Sequence, residues 1–121
     1  MRKTGSALAI VLGLAFAGQA QAHAQLEHAF PRVGAVISAS PREVRLWFSE
    51  IVEPMFCSIM LEDATGRMVP TGHLFVDAKD KRQIAVPLSA ALKPGAYRVR
   101  WHVVSVDTHR REGDFVFVIK P

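Results

Sequence analysis

The chain has 121 residues, half of them hydrophobic, and its basic side chains exceed its acidic ones by four. That length suits one small domain with a modest core and leaves no room for several. The single cysteine, Cys57, excludes an internal disulfide, and no run of five or more like charges supplies a basic tail for nucleic acid.

The first 22 residues read as an export signal. Arg2 and Lys3 supply a positive start, and Ala7 to Ala17 is apolar with only Gly13 interrupting. Ala20-Gln21-Ala22 then forms the small-x-small pattern after which signal peptidase cuts. The apolar run is too short for a stable membrane-spanning helix, which needs about 20 residues. Residues 1–22 are therefore expected to be removed and 23–121 to form one soluble, exported domain. Losing Arg2 and Lys3 lowers the basic excess from four to two, so the high pI of the whole chain argues little for an acidic partner.

The mature segment reads as all-β. Leu26 to Phe30 is a short strand stopped by Pro31, and 33–41 is a connection rich in Gly, Ala and Ser. Val44 to Phe48 is a strand, and Ile51 to Met55 is irregular around Pro54. Cys57 to Leu61 is a strand that ends in the turn signal Asp63-Ala64-Thr65-Gly66. Gln83 to Val86 is another strand, and a brief helical turn is expected over 89–94. The clearest pattern follows: Tyr97, Val99, Trp101 and Val103 alternate with Arg98, Arg100 and His102, the period of a half-buried strand. After a connection centred on 107–113, Phe115, Phe117 and Ile119 repeat it. Short strands separated by turns suggest a β-sandwich or a Greek-key barrel.

Two distant places carry chemistry. Cleavage after Ala22 would make His23 the N-terminus, and an N-terminal histidine can chelate one ion through its α-amine and its imidazole Nδ1. An internal histidine cannot, because its nitrogen is tied up in an amide. The amine's ordinary pKa of about 7.7–8.0 lets a Lewis acid displace its proton readily. The second place is Ser105-Val106-Asp107-Thr108-His109, where Asp107 and His109 stand two apart and, in extended backbone, point to the same side. An amine, two imidazoles and a carboxylate suit Cu(II), which also tops the divalent affinity series. The set lacks the several thiolates of a closed structural zinc site. A turn-stabilising role for Asp107 is the competing reading, and a cut after Ala24 would destroy the chelate.

The mature chain resembles the CopC/PcoC family of periplasmic copper-resistance proteins. The matching stretches are His23-Ala24, Leu46-Trp47-Phe48-Ser49-Glu50 followed by Val52-Glu53-Pro54, and Gly95 through Gly113 with Phe115-Val116-Phe117-Val118 behind it. The resemblance implies an immunoglobulin-like Greek-key β-sandwich. It also implies one Cu(II) per chain, held by His23, Asp107 and His109, with Glu50 just outside the ligands or a weak ligand itself. It further implies a periplasmic location, a role in copper homeostasis or resistance rather than an enzymatic one, and a CopD-type inner-membrane protein as partner. A monomer is expected. Thr108 and Arg110 stand where relatives often carry Gly and Pro. The methionine-rich Cu(I) segment of some members has no evident counterpart, since Met55, Cys57, Met60, Met68 and His73 are scattered.

Other candidates take ordinary readings. His28 and His102 are expected on strand surfaces, His73 in a loop, and Arg110 and Arg111 on a solvated turn. Cys57 shares parity with Ile59 and Leu61, which favours the core. Two other functions compete with copper storage or delivery: a copper-dependent oxidative enzyme using an N-terminal histidine brace, and a metal-free β-sandwich interaction module.

Overall fold

A computed structural model describes residues 24–121; the expected export signal, its expected cleavage point and His23 lie outside them. The described residues form nine strands: β1 (Leu26–Phe30), β2 (Val36–Ile37), β3 (Glu43–Phe48), β4 (Ser58–Asp63), β5 (Met68–Val69), β6 (Phe75–Val76), β7 (Gln83–Pro87), β8 (Gly95–Val104) and β9 (Arg110–Ile119). They make two sheets, ordered β1-β3-β7-β6 and β2-β9-β8-β4-β5. The chain changes sheets repeatedly, so the all-β expectation resolves into a sandwich rather than a closed barrel.

Alternation in the strands builds the core. Val44, Leu46 and Phe48 of β3 face Ile84 and Val86 of β7 on the inner side of one sheet. Val99, Trp101 and Val103 of β8 meet them from the other, beside Phe115, Phe117 and Ile119 of β9. Burial of each large side chain contributes about 1.5–3 kcal/mol. The rings of Phe48 and Trp101 join the sheets edge to face, with centroids 5.2 Å apart. Arg98 and Arg100 point outward and pair with Asp114 and Glu62.

The β8–β9 hairpin is the longest pairing, running from Gly95↔Ile119 to Val104↔Arg110. Its connection is therefore only residues 105–109, shorter than the segment expected to extend to Gly113. Gly113 lies within β9 opposite Trp101, and a Cβ there would stand 2.5 Å from the indole.

Three two-residue strands, β2, β5 and β6, appear where connections were expected. β2 pairs parallel to β9, which the Gly-, Ala- and Ser-rich connection did not signal. Residues 89–94 are irregular, with bends at 89, 90 and 94, instead of the expected helical turn. Their backbone bonds leave the segment: Leu92 N–H donates to Ser40 Oγ at 2.8 Å, and Tyr97 Oη donates to Lys93 O at 2.7 Å. The irregular stretch after Glu50 contains a 3-10 turn over Pro54–Phe56.

The turn after β4 is organised by one carboxylate. Asp63 Oδ1 accepts from Thr65 N at 2.9 Å and from Arg67 N at 3.0 Å, and also from the Thr65 hydroxyl. The Thr65 hydroxyl, and then the Arg67 N–H, hold its carboxyl below the usual range. A depressed folded value means its stabilisation is complete above the unfolded pKa of about 3.9 and is lost as pH falls through the folded value.

Two outcomes follow from this packing. Gly113→Ala should lower stability in urea by about 1–3 kcal/mol, because the methyl collides with a buried indole that cannot move aside. Asp63→Asn should be less stable than the parent at neutral pH, and the gap should narrow as pH drops below about 4; urea titrations of both proteins across that range check the sign.

Candidate metal centre

The 105–109 connection is braced by two backbone bonds of its own. Ser105 N–H donates to His109 O at 2.9 Å, and Thr108 N–H donates to Ser105 O at 2.8 Å. These bonds close a tight turn at the end of the hairpin. Ser105, 0% exposed, forms its floor and bridges to Val52. Thr108 has φ +73°, a left-handed backbone that a β-branched residue adopts only under strain, and its hydroxyl donates to the carbonyl of Asp107.

This turn brings two of the predicted ligands together. Asp107 Oδ2 lies 3.2 Å from His109 Nδ1, with the side chains 42% and 46% exposed. The other oxygen of Asp107, Oδ1, accepts a hydrogen bond from the Ser105 hydroxyl. That bond, and then the one from His109, keeps the Asp107 carboxyl below its ordinary value, so it stays an anion. Donors bound about 2.0–2.1 Å from one small divalent ion at a right angle stand about 2.9 Å apart. The observed pair needs only a slight closure to share an ion.

A second segment ties the turn to the start of the described chain. Ser49 N–H donates to Gln25 O at 2.9 Å, and Gln25 N–H returns a bond to Ser49 Oγ at 2.8 Å. A few residues on, Val106 N–H donates to Ile51 O at 3.1 Å and Glu53 N–H to Val104 O at 2.9 Å. Residues 49–53 thus lie between Gln25 on one side and the 104–106 backbone on the other. Glu50 is half-buried within that bridging segment. Ala24 is fully buried in the core.

The remaining candidates separate. His28 is exposed and set edge-on to Trp47, with ring centroids 4.9 Å apart. His102 is half-buried opposite Glu112 and Ser58, and His73 is exposed in a loop. Met55, Met60 and Met68 are all exposed. Cys57 is half-buried against the core, and its thiol donates to Glu53 O at 3.1 Å. Burial pushes that thiol's pKa up. Among the described residues no group of three or more His, Cys, Asp or Glu side chains gathers as a metal cluster. Sequence reasoning gave Ser105 no role of its own; its signal was a small polar residue continuing the apolar parity of Val99, Trp101 and Val103.

Comparison with known proteins gives a consistent picture. A sequence model of the CopC domain matches residues 26–120. Protein YobA of Escherichia coli (strain K12) is 38% identical over 114 residues, covering 94% of this chain and 92% of that protein. Copper resistance protein C of Escherichia coli is 32% identical over 118 residues, covering 92% and 90%. Among solved structures, CopC from Methylosinus trichosporium OB3b superposes with a TM-score of 0.77 at 33% identity, covering 82% of this chain and 95% of that one.

Thr108 offers a test of the turn. Left-handed backbone costs a side-chain-bearing residue about 1–2 kcal/mol, and glycine pays about 0.5–1 kcal/mol of extra chain entropy. Thr108→Gly should therefore raise urea stability by up to about 1 kcal/mol. A loss would mean that the hydroxyl bond to Asp107 O outweighs the strain.

Proposed function

The chain belongs to the CopC family, and on that footing we propose that it is a periplasmic copper-binding protein without catalytic activity. It holds one Cu(II) through His23, Asp107 and His109, and either sequesters the ion or passes it to a membrane partner. The observation that carries the reading is the Asp107–His109 pair: an anionic carboxylate oxygen and an imidazole nitrogen 3.2 Å apart on a braced, half-open turn. The ion takes the place of the proton they share.

Two donors are too few to retain a transition metal tightly, and the described residues offer no third beside them. His23 supplies the rest in this reading. It is covalently joined to Ala24, whose burial anchors that end of the chain, and Gln25 is bonded to the same segment that braces the turn. A freed amine and an imidazole from one residue, with the carboxylate and imidazole of the turn, complete a nitrogen-rich set that Cu(II) prefers. Glu50, in the bracing segment, contributes negative charge near the ion. The names of the relatives, copper resistance protein C among them, point to the same cargo.

The decisive experiment uses the chain processed to begin at His23. It should bind one Cu(II) with a nitrogen-rich type-2 EPR spectrum, and binding should raise its melting temperature. One alanine added before His23 should abolish tight binding while leaving the copper-free melt unchanged. Undiminished affinity in that variant would refute the N-terminal chelate.

A further inference from the structure

We propose that Ser105 is a positioning residue that decides how Asp107 meets the copper ion, an inference that rests on the copper reading above. Serine is seldom fully buried, yet Ser105 is 0% exposed at the floor of a turn whose Asp107 and His109 are open to solvent. Its place is fixed from three directions. The N–H is bonded to His109 O, the carbonyl accepts from Thr108 N–H, and the residue bridges to Val52 of the bracing segment. The hydroxyl therefore projects from an immobile point.

From there it donates to Asp107 Oδ1. Among the described residues its one alternative acceptor is His109 O, 3.4 Å away, which is neutral and farther off. A hydrogen bond to a charged carboxylate is the stronger of the two. The consequence is a division of labour between the two oxygens of Asp107: Oδ1 belongs to Ser105, and Oδ2 faces His109 Nδ1. Asp107 is otherwise an exposed side chain on a turn, tied only to its neighbour His109 through the imidazole and the backbone N–H. With Oδ1 held, it presents one oxygen to the ion, in line with the imidazole. Without the hydroxyl it can place both oxygens on the metal or swing into solvent.

Partners that orient a ligand from outside the metal's own shell commonly alter metal affinity by about 10–100-fold. In the chain beginning at His23, Ser105→Ala should weaken Cu(II) binding about tenfold or more. It should also move the EPR parallel g value and copper hyperfine splitting toward those of Asp107→Asn. Ser105→Thr, which keeps the hydroxyl, should restore the parent spectrum; a purely structural role would not shift the spectrum of a folded protein. An alanine variant with parental affinity and spectrum overturns the inference, as does an altered spectrum that threonine leaves uncorrected. If the parent itself takes up no copper, the copper reading fails instead. Should Ser105→Ala not fold, NMR of the parent decides: a Ser105 hydroxyl proton protected from exchange is expected, and a rapidly exchanging one sinks the proposal.

Discussion

The pairing of β8 with β9 is the constraint on which the rest of the molecule depends. These two ten-residue strands supply the inner face of one sheet, and their register fixes where every side chain of the hairpin points. A slip of β8 by one residue would turn Tyr97, Val99 and Trp101 to solvent and Arg98 and Arg100 into the core. The same register ends at Val104↔Arg110, leaving five residues to reverse the chain. Core packing at one level thus dictates, a few residues on, the tight turn that sets a carboxylate beside an imidazole.

The site is an outcome of tertiary structure as well as of that hairpin. Residues 49–53 belong to neither sheet's regular ladder, yet they bond to Gln25 and to the backbone from Val104 to Val106. They form the lacing between segments about eighty positions apart in sequence. Pro54 and the 3-10 turn that follows direct the chain away to β4, so the lacing is short and held at both ends.

What could be read beforehand follows from the range of the forces involved. Strands β3, β8 and the second half of β9 were legible because a face buried at every other residue imposes strict alternation, whereas 110–114 of β9 has no buried residue and reads as connection. Strands β2, β5 and β6 were not, since two residues carry no period and their pairing exists only because another strand passes alongside. The helical turn expected over 89–94 failed for a related reason: Ser40, 52 positions away, takes the Leu92 N–H, and the nearby Tyr97 hydroxyl takes the Lys93 carbonyl. At the site, the spacing of Asp107 and His109 suggested one face, and the structure sets them together within a turn rather than an extended strand. The left-handed Thr108 and the buried hydroxyl of Ser105 had no signature in residue type alone. They arise from closing a hairpin in five residues.

Cys57 illustrates a different economy. Its sulfur is half covered by the core, donates to a carbonyl at the base of the bracing segment, and holds its proton more firmly than a free thiol would. Since the thiolate is the form that attacks disulfides and captures soft metals, this sulfur is chemically muted. The domain's lone sulfhydryl thus sits half covered at the edge of the core, with a smaller share of it present as thiolate than an open thiol would show.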